Sequence, residues 1–178
     1  MMASLGDWKW TQSMTNELAT LLLANAWLVR VDDTPEHRAW LDDVATRLLT
    51  FQTASGGIKQ FFGAGAEAGK CGDCAPASNA AYGAGEAPLM FTGHEPLTDC
   101  LYGLNFALIG LREAYGATRD AKYAAAETRL VDYLVRIQAR SDAHPELDGA
   151  WFRAFDYERW EYPLPAFFSS FPRARASR

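Results

Sequence analysis

The chain is 178 residues long, 49% hydrophobic and 22% charged, with 17 basic against 22 acidic side chains and a net charge of −5. That length suits one domain, and the apolar content suffices for a packed core and excludes wholesale disorder. The acidic balance argues against a nucleic-acid surface, since the basic cluster Arg173, Arg175 and Arg178 stands at the very end without periodicity.

Met1 to Trp10 holds no cationic segment followed by an apolar run, so no signal peptide is expected. Leu18 to Val31 is the most apolar stretch. Thr20, Asn25 and Arg30 interrupt it, and it is too short and too polar to span a bilayer. The expectation is a cytoplasmic chain with no membrane and no nucleic-acid partner. Cys71 and Cys74 form a C-x-x-C and Cys100 stands alone. Three cysteines make no disulfide framework, which fits a reducing compartment.

The first helix is predicted from Thr11 to about Val31, where Leu18, Leu21, Leu22, Ala26 and Val29 recur at three- and four-residue steps. The second has a clear start. Thr34 suits the N-cap, Pro35 the first helical position and Glu36 the positive end of the dipole. Trp40, Val44, Leu48 and Phe51 make its stripe, and it is expected to end near Thr53, ahead of Ser55-Gly56-Gly57. Ala54 to Leu97 then shows no lasting period. It carries many glycines, Pro76, Pro88 and Pro96, and the aromatics Phe61, Phe62, Tyr82 and Phe91, so an ordered, functional loop is expected. The third helix is predicted from a cap at Thr98 or Asp99 to about Tyr115, with Leu101, Leu104, Leu108 and Leu111 buried. The fourth is predicted from a cap at Asp120 to about Arg140, with Tyr123, Leu130, Leu134 and Ile137 as its stripe.

An internal repeat runs through these elements. Thr34 to Gln52 aligns without gaps to Asp120 to Gln138. Each copy is a helix, a short turn, a capped helix, a glutamine and then a glycine-led aromatic segment: Gly57 to Phe62 in the first, Gly149 to Phe155 in the second. The unit is a helical hairpin plus an extended segment. A hairpin cannot bury its face alone, so hairpins must stack. The fold class predicted is all-α, with about four helices in antiparallel hairpins and long loops at one end. Residues 1–162 form the domain and 163–178 an irregular tail.

Three stretches carry a family resemblance: Gly83 to Pro88, Asp99 to Leu108 and Glu146 to Asp156. With the hairpin pattern, they resemble the (α/α) toroid of the six-hairpin glycosidase-like superfamily, in a bacterial carbohydrate-associated branch, over roughly residues 10–162. The resemblance implies a saccharide ligand in a funnel at one end of the toroid, and a protein that hydrolyses or otherwise processes it. The chain has two hairpins where the whole toroid has six. After Tyr162 the run Pro163 to Arg178 has no helical period, so the expectation is a piece of a longer toroid, cut short or read out of frame.

Glycoside hydrolysis uses two carboxylates, about 5–5.5 Å apart for retention or about 6.5–9.5 Å for inversion. Glu86, between Gly85 and Ala87, and Asp148, before Gly149, stand at equivalent loop ends and are the expected catalytic pair, with Asp156 next. Glu95, Asp99, Glu158 and Glu161 are the other loop carboxylates. Tyr82, Tyr102 and Trp151 are candidates to stack on sugar rings, and Arg153 to orient an acidic sugar or to pair with Asp156. The aromatics Phe152 and Phe155 read instead as packing that closes a hairpin. His94 precedes a helix cap and reads as a water-exposed loop residue. Zinc at Cys71 and Cys74 would need two more ligands, for which Cys100, His94 and His144 are available at no recognised finger spacing. No metal and no cofactor is expected. The alternative to an enzyme is a non-catalytic hairpin module that binds carbohydrate or protein, and either form has hairpin faces available for self-association.

Overall fold

The computed structural model describes residues 2, 5, 13–61 and 96–162. Among them the chain is mostly helical: α1 (Met14–Val31), α2 (Pro35–Leu49), β1 (Leu97–Asp99), α3 (Gly103–Thr118), α4 (Ala121–Ile137) and β2 (Ala154–Asp156). Three helices start where a side chain relieves an unpaired amide. Ser13 accepts from Asn16 N, Thr34 from His37 N ahead of Pro35, and Asp120 from Lys122 N. The Thr34 and Asp120 caps are the ones the repeat predicts.

α1 and α2 form one hairpin across the turn at 32–34, and α3 and α4 a second across Arg119–Asp120. The hairpins stack through α1 and α3, which run parallel. A Cβ added to Gly103 would meet Asn16 Oδ1 at 2.6 Å, one at Gly110 would meet Leu22 at 3.1 Å, and one at Gly116 would meet Arg30 at 3.5 Å. Both chains rise together through these three contacts. Arg30 also pairs with Glu113 across the same seam. Absence of a side chain at Gly103 and Gly110 is what lets the helix axes come this close. Long side chains bridge α2 and α4: Lys122 on α4 pairs with Asp42 on α2, and Gln52, just past α2, donates Nε2 to Ala126 O at 3.0 Å. Every helix therefore presents its other end, the start of α1 and α3 and the finish of α2 and α4, to the same side of the molecule.

A small β-layer covers that side. β1 and β2 are antiparallel, with Leu97 opposite Asp156, Thr98 opposite Phe155 and Asp99 opposite Ala154. Single bridges extend the layer: Lys59 to Thr98, Gln52 to Ile58, and Asp156 to Glu161. Its inner face is aromatic. Phe155, fully buried, meets Tyr133, Trp160 and Tyr162 edge-on at centroid distances of 6.0, 5.2 and 4.9 Å. Phe152 also meets Tyr162, at 4.9 Å, so both phenylalanines close the hairpin as expected.

Several expectations need correction. The β-layer was not anticipated from an all-α reading. Thr98 and Asp99 belong to β1, and α3 begins at Gly103; the Asp99 carboxylate caps the turn that leads into it, accepting from Leu101 N and Tyr102 N. The buried face of α3 is Leu104, Ala107, Leu111 and Ala114 with two glycines, while Leu101 is exposed. α1 begins at Met14, α2 ends at Leu49 and α4 at Ile137, each shorter than predicted. The segment after α2 turns back at once, with Thr53 N donating to Gly57 O and Lys59 N to Phe51 O. Residues 62–95 and the tail 163–178 lie outside the described residues.

Candidate functional site

The described residues among the predicted site, Tyr102, Asp148, Trp151, Arg153 and Asp156, fall at the loop end of the hairpins. Two repeated devices build it. Gln52 Nε2 donates to Gly56 O, and Gln138 Nε2 to Gly149 O, at 3.0 and 2.8 Å. Both glycines have positive φ, +102° and +82°. Each glutamine thus holds a left-handed turn against the end of its helix, and the aligned glycine of the first copy is Gly56 rather than Gly57.

The second device is an aspartate at the end of a strand whose carboxylate collects the amides of the next turn. Asp99 Oδ1 accepts from Leu101 N and Tyr102 N, at 2.9 and 3.2 Å, and its Oδ2 accepts from Asn16 Nδ2 at 2.8 Å. Asp156 Oδ1 accepts from Glu158 N and Arg159 N, at 3.0 and 2.9 Å. The β1–β2 register puts both buried aspartates on one face at diagonal positions, where Cα atoms stand roughly 7–8 Å apart. Each carboxylate is occupied by backbone amides that start a turn or a helix. Their chemistry here is capping. Arg159 lies 3.8 Å from Asp156.

Asp148 is exposed. It lies 3.8 Å from Arg140, and its Oδ1 accepts from Ser141 N at 3.4 Å. Three residues on, the Trp151 indole N–H donates to Leu134 O at 2.8 Å, which lays the ring along the last turn of α4 and leaves the side chain 48% exposed. Asp148 and Trp151 therefore flank Gly149 at the finish of α4. Tyr102 is 40% exposed at the start of α3 rather than buried in the core. Arg153 is half-buried, and its carbonyl accepts from Cys100 N at 2.7 Å. Glu86, Tyr82, His94, Cys71 and Cys74 lie outside the described residues.

Sequence reasoning missed one feature. Among the described residues, Asn16 Oδ1 and Gln60 Oε1 are buried acceptors without a hydrogen-bond partner. The segments that carry them are tied together: Thr15 N donates to Phe61 O, and Phe61 N donates to Thr15 Oγ1. No periodic signal marked Gln60, since its burial comes from strand pairing with Leu97. Burial also sets the titration of this end. It pushes the Cys100 thiol up to about 12 and the Tyr133 and Tyr162 phenols well above their ordinary range. All three stay protonated near neutrality and serve as packing and hydrogen-bonding groups. Among the described residues no group of three His, Cys, Asp or Glu side chains is placed to hold a metal ion, and no helix is long and apolar enough to cross a membrane. The chain matches no protein-family model, no curated protein and no solved structure.

Proposed function

We propose that this chain is a two-hairpin section of an (α/α) toroid belonging to a carbohydrate-processing protein, and that a saccharide engages its loop end. One observation carries the reading. Corresponding helices of the two hairpins run parallel, so the segments after α2 and α4 open on the same side, as stacking around a ring requires. An up-and-down four-helix bundle would share that polarity but set α1 and α3 diagonally across its core, whereas here they pack directly against each other at Gly103 and Gly110. Trp151 supports the ligand class: its polar edge is satisfied by Leu134, which leaves its apolar face as a platform. Asp148, exposed beside it, is the proposed carboxylate for acid/base work, with Glu86 as its proposed partner, and Tyr82, Tyr102 and Arg153 complete the proposed contacts.

A second reading, a non-catalytic carbohydrate-binding module, is favoured by Asp156. Its carboxylate is committed to turn amides, which removes one of three candidate catalysts. A glycoside panel separates the readings. Turnover abolished by both Asp148→Asn and Glu86→Gln supports acid/base chemistry. Binding without turnover, weakened about tenfold or more by Trp151→Ala, supports the module. No binding to any glycan sinks both.

A further inference from the structure

The chain that returns to the end of α4 is bulged. Gly149 N donates to Ala139 O at 2.8 Å, and Ala139 N donates to Ala150 O at 2.9 Å. Two residues thus oppose one, and the first of the two, Gly149, has a φ of +82°. This is the hydrogen bonding of a glycine-type β-bulge.

The bulge decides which side chains share a face. In a regular strand, residues three apart point to opposite sides. Asp148 and Trp151 are three apart, but the bulge fits its two residues into one position of the ladder, so both project to the same side. Gln138 and Arg140 flank Ala139 across the ladder and project to that side as well, while Ala139 is buried on the other. The contacts agree. Gln138 Oε1 accepts from Arg140 Nη2 at 3.2 Å, and Arg140 lies 3.8 Å from Asp148. The Trp151 indole reaches Leu134, one turn before Gln138 on α4. Asp148 and Trp151 then stand two strand steps apart, roughly 6–7 Å along the chain. That spacing lets one sugar ring stack on the indole and turn its hydroxyl edge toward the carboxylate.

Gln138 holds both halves of this arrangement. Its Nε2 donates to Gly149 O, between Asp148 and Trp151, and its Oε1 orients Arg140 beside Asp148. The matching glutamine of the first hairpin is spent differently. Gln52 Nε2 donates to both Gly56 O and Ala126 O, and its Oε1 accepts from Arg129 Nε, so its amide joins the two hairpins. We propose that Gln138 is the positioning residue of the saccharide site, fixing through the Gly149–Ala150 bulge the common face on which one ring meets Trp151 and Asp148. This rests on the saccharide reading of the loop end.

The full chain labelled with fluorotryptophan tests this, its Trp151 fluorine NMR line identified by Trp151→Phe. Gln138→Met keeps the side-chain length and removes both hydrogen bonds. Gln52→Met removes the corresponding bonds of the first hairpin and serves as the control. Gln138→Met is expected to move the Trp151 line and to weaken binding of each glycoside that the unmodified chain binds by about tenfold, as the loss of one or two hydrogen bonds allows. Gln52→Met is expected to do neither, even where it lowers stability as much. Gln138→Glu keeps the acceptor for Arg140 and loses the donor to Gly149 O. It takes the place of Gln138→Met, with the same expected result, if circular dichroism shows that variant to be misfolded. A Trp151 line that stays in place in the Gln138 variant, a line moved equally by Gln52→Met, or an unchanged glycoside affinity in the Gln138 variant would each overturn the proposal. An unmodified chain that binds no glycoside, with a Trp151 line that still moves in Gln138→Met, would sink the saccharide reading and uphold the placement of Trp151 by Gln138.

Discussion

Replacing Thr98 with valine tests whether a buried hydroxyl pair fastens the β-layer to α4. Thr98 Oγ1 and Tyr133 Oη lie 2.9 Å apart, and both residues are fully buried. Thr98 Oγ1 also donates to Phe155 O at 3.4 Å. A hydroxyl has one proton, so with Thr98 donating to Phe155 the Tyr133 hydroxyl is the donor in the shorter bond. The two deletions are therefore unequal. Thr98→Val keeps the shape but strands a buried O–H donor, a loss of about 1–3 kcal/mol. Tyr133→Phe removes the donor and leaves Thr98 its carbonyl partner, a loss of about 0.5–1.5 kcal/mol. In the double variant nothing is stranded, so its loss is expected to fall below that of Thr98→Val alone, with a coupling of at least about 1 kcal/mol. Urea unfolding followed by far-UV circular dichroism reads this, provided the slopes agree among the variants. In a chain of this size each kcal/mol also moves Tm by about 2–4 °C. Additive losses, or a larger loss in Tyr133→Phe than in Thr98→Val, would refute the assigned direction of the bond.

Three further outcomes are expected. Gly56→Ala combines a φ of +102° with a Cβ only 2.2 Å from Arg129 O, whereas Gly149→Ala has a φ of +82° and its nearest atom at 3.7 Å. The first is expected to lose more than about 3 kcal/mol and the second about 1–2 kcal/mol, and equal losses by denaturation would show that the close contact is absent. Asp156→Ala, which unpartners two turn amides, is expected to lower stability by about 1–2 kcal/mol and Asp148→Ala by under about 0.5 kcal/mol, checked by thermal melts. The buried Cys100, Tyr133 and Tyr162 keep their protons in the folded chain at pH values where the unfolded chain loses them, starting from ordinary values of 9.0 for the thiol and 10.0 for the phenols. A raised folded pKa means stability is full below those values and falls as pH rises through them, by up to about 1.4 kcal/mol per pH unit for each group. Tyr133→Phe is expected to flatten the decline above pH 10, and an unchanged slope in pH-dependent urea titrations would contradict the burial of the phenol.

Local chemistry made the helices and their order legible in the sequence. Thr34-Pro35-Glu36 and Asp120 act within four residues of the amides they cap, and the apolar period reports a face without reference to any neighbour. The repeat of Thr34–Gln52 in Asp120–Gln138 carried more than helix content, since its two glutamines hold equivalent left-handed glycines. What failed was decided by partners distant in the chain. Pairing with Phe155 and Ala154, some 55 residues onward, draws Thr98 and Asp99 into a strand and delays α3 to Gly103, while Asp99 still caps the turn that leads into it. A three-residue strand has too few positions for a period-2 pattern to show. Asp156 looked like a catalyst because its neighbours are aromatic and charged. Its role as a turn cap depends on the hairpin to Glu161 that folds its own amides back onto it. The fifteen residues from Asp148 to Tyr162 therefore divide by tertiary contact: Phe155 and Tyr162 are core, Asp156 is a cap, and Asp148 and Trp151 remain at the surface. Sequence alone determined which segments are helical and that they come as two equivalent hairpins, because caps and periods are short-range. Only the tertiary structure decided that the hairpins stack in parallel, which side their loops share and which polar groups stay available there, because those outcomes rest on contacts between residues 40 to 90 positions apart.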